Sequence, residues 1–266
     1  AGLIGGDPEG FVFPRNTTEA MNFVANGLDL PDGAEVLSTD HEHIGGLEPW
    51  KLVTRRRVLP LRTVSLPAPA ASSEELLEAV WSGVTDRTRV VCVSHITFTT
   101  GTILPITELS ARCAERDIVL AVDGAHPPGM IQMDLNTLGG DFYASSPHKW
   151  LLAPQGTGLL YIAEPWREKL WPTLASGGWD DMTLGAHRFN HMGTMDESRI
   201  AGLLAATEFF HALGMQRVEG RVRYLRGMLQ DGLMHIPGLS LATPSDNALN
   251  AAMVSFRIDG VESLDL

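Results

Sequence analysis

The chain has 266 residues, with 32 acidic against 20 basic side chains, a formal charge of −12 and 44% hydrophobic residues. That balance argues against nucleic acid or an anionic membrane as a partner, because both call for a basic face. A chain of this length buries roughly three-quarters of its unfolded surface without disulfide or metal staples, and no apolar run approaches the ~20 residues of a membrane span.

In chain order, Phe11-Val12-Phe13 is a short strand candidate after a glycine-rich opening. Asn16-Thr17-Thr18-Glu19-Ala20-Met21-Asn22 sets hydroxyls at the head of a helix, with Ala20, Met21, Val24, Ala25 and Leu28 on one face. Free N–H groups and the dipole at such a head make a phosphate seat; taken alone, Thr17 and Thr18 are more often plain helix caps. Glu35 to Thr39 predicts a strand that delivers Asp40-His41-Glu42-His43, and a helix follows from about Gly45 to Thr54. The basic run Arg55-Arg56-Arg57 reads as that helix's end, complementing its dipole. An apolar strand is expected near Val58 to Leu66, and Ser72 or Ser73 caps a helix running through Val84.

Arg89 to Ser94 reads as a strand and Pro105 opens a helix ending near Asp117. The run Ile118-Val119-Leu120-Ala121-Val122-Asp123 predicts a fully buried parallel strand with an acid at its carboxyl end, the edge where open α/β sheets bind ligands. Alone, Asp123 reads also as a capping acid. Asp141 to Ala144 is a further strand, followed by Ser145-Ser146-Pro147-His148-Lys149 and the apolar Trp150-Leu151-Leu152-Ala153. An amine against apolar residues is poorly solvated as a cation, which favours the nucleophilic free base; the plain alternative is a surface lysine after a strand. Gly156 to Ile162 reads as a strand, 197–213 and 215–235 as long helices, and Leu239 to Ala242 with Ala252 to Phe256 as a second set of strands. Alternation of strands and long helices implies an α/β fold with a mainly parallel sheet flanked by helices. Residues 1–235 are expected to form one large domain, and 236–266 the start of a smaller α+β domain. Cys92 and Cys113 lack neighbours at metal spacing and read as reduced core residues of a cytoplasmic protein; no metal site is expected.

A lysine amine, a strand-end carboxylate and a phosphate seat are what pyridoxal phosphate requires. Ser146-Pro-His148-Lys149 after a strand, Asp123-Gly-Ala-His126 upstream, Thr17-Thr18-Glu19-Ala20 earlier, and Glu42-His43 and Gly193-Thr194 in order resemble the class V aminotransferase family. The resemblance implies a fold-type I transferase with a seven-stranded type of sheet. It implies Lys149 as the Schiff-base lysine and proton shuttle, and Asp123 as partner of the pyridine nitrogen. Thr17, Thr18, Ser146 and His148 would hold the phosphate. Thr194 would reach the phosphate of a partner subunit, in a homodimer with shared sites. His43 matches the ring that stacks on the pyridine, and His126 the position that contacts the phenolic oxygen or the lysine side. Desulfurases commonly carry glutamine at the latter. Where the family often has asparagine this chain has Phe98, leaving Thr97 or His95 to touch the phenolic oxygen. The family's substrate-carboxylate arginine is expected beyond Leu266, and a first helical segment ahead of Ala1.

Around Asn16 to Asn22 and Asp40 to Gly46 the chain is most similar to the isopenicillin N epimerase-like branch. The resemblance therefore implies an epimerase or aminotransferase acting at the Cα of an amino acid, with His43 as second acid. A cysteine desulfurase or selenocysteine lyase, or a cofactor-binding pseudoenzyme, stays open at this point.

Overall fold

The computed structural model describes residues 1–263. Seven strands form one sheet: β1 (Phe11–Val12), β2 (Glu35–Thr39), β3 (Leu61–Val64), β4 (Thr88–Ser94), β5 (Val119–Asp123), β6 (Phe142–Ser145) and β7 (Leu159–Ile162). Their order is β1-β7-β6-β5-β4-β2-β3. β2 to β6 pair in parallel, while β7 and β1 run antiparallel at one edge. The mainly parallel sheet expected from the alternation is therefore present.

β5 shows why the central strands read as unbroken apolar runs. Successive side chains point to opposite faces: Val119 and Ala121 enter one core and Leu120 and Val122 the other. Helices cover both faces. Ala20, Met21 and Val24 of α1 (Thr17–Gly27) and Trp50 and Val53 of α2 (Ile44–Arg57) fill the first core. Leu76 and Val80 of α3 (Ser73–Trp81), Ile106 and Leu109 of α4 (Ile106–Ala114), and Leu135 of α5 (Leu135–Leu138) fill the second. Each fully buried Val, Leu or Ile contributes about 1.5–3 kcal/mol relative to exposure. α6 (Ser198–Leu213) and α7 (Met215–Leu233) follow, with Leu203 and Phe210 packed on Leu151 and Ala153. No helix among the described residues is long and apolar enough to cross a membrane.

Helix starts follow local chemistry. Asn16 and Ser72 accept the N–H groups of Glu19 and Glu75, each cap worth about 1 kcal/mol. The three arginines end α2 as expected. The strand expected near Val58 begins only at Leu61, because Val58 closes α2 in the left-handed region (φ 56°) and Pro60 has no N–H for a ladder. A two-stranded antiparallel sheet of β8 (Leu239–Leu241) and β9 (Phe256–Ile258) lies apart from the main one. The strand expected over Ala252 to Phe256 starts at its last residue. The backbone just before it is used elsewhere: the Leu249 carbonyl accepts the Ile103 N–H (2.8 Å), and Asn250 bridges Thr102.

Candidate active site

The carboxyl ends of four parallel strands bring Thr39, Ser94, Asp123 and Ser145 to one edge. Asp123 is only 4% exposed, and its Oδ1 accepts the Ala125 N–H at 3.0 Å. Its Oδ2 accepts no hydrogen bond among the described residues. Burial raises this carboxyl above its ordinary range, opposed by the Ala125 N–H and by the charges of Lys149 and His43. A side chain at Gly46 would put Cβ 2.5 Å from Asp123 Oδ2, so the first turn of α2 approaches the carboxylate as closely as only glycine permits.

Lys149 sits in a turn straight after β6, where its N–H donates to the Ser146 carbonyl (2.9 Å) and its carbonyl accepts the Leu152 N–H (3.2 Å). Its Nζ lies 3.3 Å from His126 Nε2, and the Trp150 indole N–H donates to His126 Nδ1 at 3.0 Å. Burial lowers the amine's pKa, with Asp123 pulling the other way. His126 is brought down to about 4 by burial, then by the charges of Lys149 and His43. The amine and the Asp123 carboxylate, with its Oδ2 free of a donor among the described residues, thus lie at one strand-end edge.

At the head of α1 the buried Ser146 hydroxyl accepts the Thr17 N–H (3.0 Å) and pairs with the Thr17 hydroxyl (2.8 Å). Thr18 is exposed, and a Cβ at Gly45 would fall 2.3 Å from its hydroxyl, so the heads of α1 and α2 meet here. His148 donates its Nδ1–H to the Thr157 carbonyl at 2.8 Å, leaving Nε2 without a protein partner among the described residues. Thr17, Thr18, Ser146 and Lys149 are therefore gathered by two elements, α1 and the turn after β6. Thr194 stands apart, exposed in the loop before α6 with no side-chain hydrogen bond among the described residues.

His43 is exposed and caps α2, with Nδ1 accepting the Gly45 N–H at 3.0 Å. Phe98 meets its ring edge-on, 5.1 Å between centroids at 87°. Thr97 and His95, the expected substitutes for an asparagine, each have one polar atom paired within the fold, while His95 Nε2 has no partner among the described residues. The Thr97 hydroxyl pairs with that of Thr100 (2.7 Å) and accepts the Thr102 N–H, and His95 Nδ1 pairs with the Tyr143 hydroxyl at 3.1 Å. Burial holds His95 down to about 4, hence neutral.

Two residues near the site escaped the sequence reading as individual contributors. Glu42 is buried and accepts from the hydroxyls of Thr39 (2.7 Å) and Ser94 (2.6 Å). Burial moves its carboxyl up to about 7, those hydroxyls lower it, and the Asp123 charge raises it. An acid beside a histidine at a strand end was the available signal. Trp150 read only as an apolar residue, and its indole N–H was the signal overlooked.

Comparison with known proteins bears on the whole chain. The sequence model of the Aminotransferase class-V family matches residues 1–266. The isopenicillin N epimerase of Streptomyces clavuligerus is 36% identical over 281 residues, covering 100% of this chain and 71% of that protein. The probable cysteine desulfurase 2 of Mycobacterium leprae is 30% identical over 282 residues, covering 100% of this chain and 66% of that protein. Among solved structures, a mutant of C-DES with glycine covalently linked to its PLP cofactor superposes with a TM-score of 0.83 at 27% identity, covering 97% of this chain and 70% of that one. The fold is accordingly that of a fold-type I transferase, and the chain belongs to the aminotransferase class-V family of pyridoxal-phosphate-dependent enzymes.

Proposed function

We infer that this chain acts at the Cα of an amino acid as an isopenicillin N epimerase-like epimerase or as an aminotransferase, with Lys149 as its covalent anchor for pyridoxal phosphate. The observation that carries the reading is a poorly solvated amine, Lys149 Nζ, within the electrostatic reach of the buried Asp123 carboxylate, whose Oδ2 has no donor among the described residues. The latter fits a protonated pyridine nitrogen, and Gly45 and Gly46 keep clear the space that a Cβ would fill beside Thr18 and Asp123. The hydroxyls of Thr17, Thr18 and Ser146 and the Nε2 of His148 fit a phosphate at the head of α1. The bound cofactor supplies an electron sink for the pair left when a bond to Cα breaks.

Asp123 holds a proton at the pyridine nitrogen by pairing its charge with it in a buried setting. Lys149 Nζ, once free, takes the proton from the substrate Cα on its own side. His43 returns one from the other side in epimerisation. Because Nδ1 caps α2, Nε2 is the nitrogen that delivers it. Nε2 can deliver only from the cationic ring; forming that cation puts a hydrogen on Nδ1 and so gives up the Gly45 cap, about 1 kcal/mol, and delivery leaves that hydrogen on Nδ1. The test follows solvent deuterium into Cα with the full-length protein. His43→Ala should slow incorporation by about 10²-fold, the scale of a lost general acid, while unchanged scrambling would remove His43 from that role.

The exposed Thr194, without a partner among the described residues, supports a homodimer in which it reaches the second subunit's phosphate. Sedimentation of the full-length protein should give twice the monomer mass, and a monomer that retains cofactor would refute the shared site. A second reading, a cysteine desulfurase, is favoured by the 30% identical relative of that name. Sulfide release from L-cysteine, matched in rate to no Cα exchange on other amino acids, would select it.

A further inference from the structure

The hydrogen bonds around Lys149 have a direction. An indole nitrogen only donates, so Trp150 Nε1–H at 3.0 Å requires a lone pair on His126 Nδ1. A neutral imidazole with its lone pair there carries its hydrogen on Nε2, which faces Lys149 Nζ at 3.3 Å. That N–H needs an acceptor, and an ammonium group has none. The opposite assignment, an ammonium donating to Nε2, would move the ring hydrogen to Nδ1, head-on against the indole N–H.

We propose that Trp150 is a positioning residue: by fixing the His126 tautomer it makes His126 a donor to Lys149 and holds that amine as the neutral nucleophile. The inference rests on Lys149 being the amine that joins the cofactor. The backbone is arranged to bring the three side chains together. Gly129 (φ 86°) lets the loop after β5 press onto the turn after β6, where a Cβ would lie 2.5 Å from the Trp150 carbonyl. The other groups facing this cluster are Asp123, from the end of β5, and His43, from the head of α2. Asp123 favours the ammonium, and the proposed relay opposes it. Burial of both Lys149 and His126 acts in the same sense as the proposed relay.

The test measures covalent capture of pyridoxal phosphate by cofactor-stripped, full-length protein, following absorbance by stopped flow across a pH series. In capture the Lys149 nitrogen lone pair bonds the aldehyde carbon, and the carbonyl oxygen leaves as water with the two amine hydrogens. Nothing is oxidised or reduced. Trp150→Phe keeps an aromatic ring and deletes the donor, so His126 can turn to the tautomer that accepts from an ammonium. The capture midpoint should rise by about one pH unit, which makes capture roughly tenfold slower at neutral pH with the alkaline plateau retained. A purely packing role would lower the rate at every pH and leave the midpoint in place, which would overturn the proposal.

His126→Gln supplies a control independent of the indole. An amide accepts through its oxygen and donates through its NH₂, so the direction of the relay survives and the midpoint should stay put. His126→Leu should move it as Trp150→Phe does. If Trp150→Phe fails to fold, the glutamine and leucine variants decide by themselves, and equal midpoints in the two overturn the relay. Absence of capture by the unmodified protein, even at alkaline pH, would overturn the assigned role of Lys149 and this inference with it.

Discussion

Lys149→Ala should abolish the visible absorbance of cofactor-loaded protein and reduce turnover of any amino-acid substrate by at least about 10³-fold, within the range for loss of a general acid–base group. On the proposed reading one side chain serves as covalent anchor and as base at Cα, and alanine removes both. Lys149→Arg should fare no better despite its length and charge. A guanidinium stays protonated in proteins and has no lone pair to offer an aldehyde. Mass spectrometry after borohydride reduction is the direct measurement. The unmodified protein should gain the mass of reduced cofactor on the peptide carrying Lys149, and both variants should not. Cofactor mass on a different lysine would end the assignment, whatever the rates.

Asp123→Asn should lower kcat by about 10²–10³-fold, the scale measured when one preorganised electrostatic partner is removed from a buried site. The amide is nearly isosteric, so the packing around a residue 4% exposed survives and only the charge is lost. Without that charge a proton on the pyridine nitrogen has no buried counter-ion, and the electron sink weakens. Gly46→Ala should act in the same direction and less strongly. Its methyl would sit 2.5 Å from Asp123 Oδ2 and push the carboxylate away from its position without neutralising it. Absorbance titration with pyridoxal phosphate and steady-state rates on the same samples separate the two effects. Wild-type kcat in Asp123→Asn would remove the carboxylate from the chemistry.

Much of this was legible in the chain because it is local. The apolar run 118–122 read as a strand buried on both faces, and β5 is one, with Asp123 at the carboxyl end where open α/β sheets bind ligands. Ser72, one of two serines expected to cap a helix, does so, whereas the cap of α1 is Asn16, just ahead of the expected hydroxyls. The apolar segment after Lys149 announced one of the two readings open for that amine, the poorly solvated one. Where several backbone partners compete, local pattern was insufficient. The run from Ala252 has strand composition, yet the residues before it bond to Thr102 and Ile103 across the fold.

Side-chain pairing was less legible still. Thr97 and His95 have the right chemistry to touch a ligand, but the contacts that take the Thr97 hydroxyl (Thr100, Thr102) and His95 Nδ1 (Tyr143) come from distant or folded-back backbone that residue type does not announce. Glu42 has a buried, hydroxyl-lined setting that an acid in a polar stretch does not announce. Residue types and their order determined the fold class and the family, and nominated Lys149 as the amine and Asp123 as the carboxylate. Only the tertiary structure decided which nitrogen of His43 caps a helix and which nitrogen of His126 faces Lys149. Those assignments depend on donors brought close by loops packed through Gly46 and Gly129, and hydrogen-bond direction is a property of contacts, not of composition.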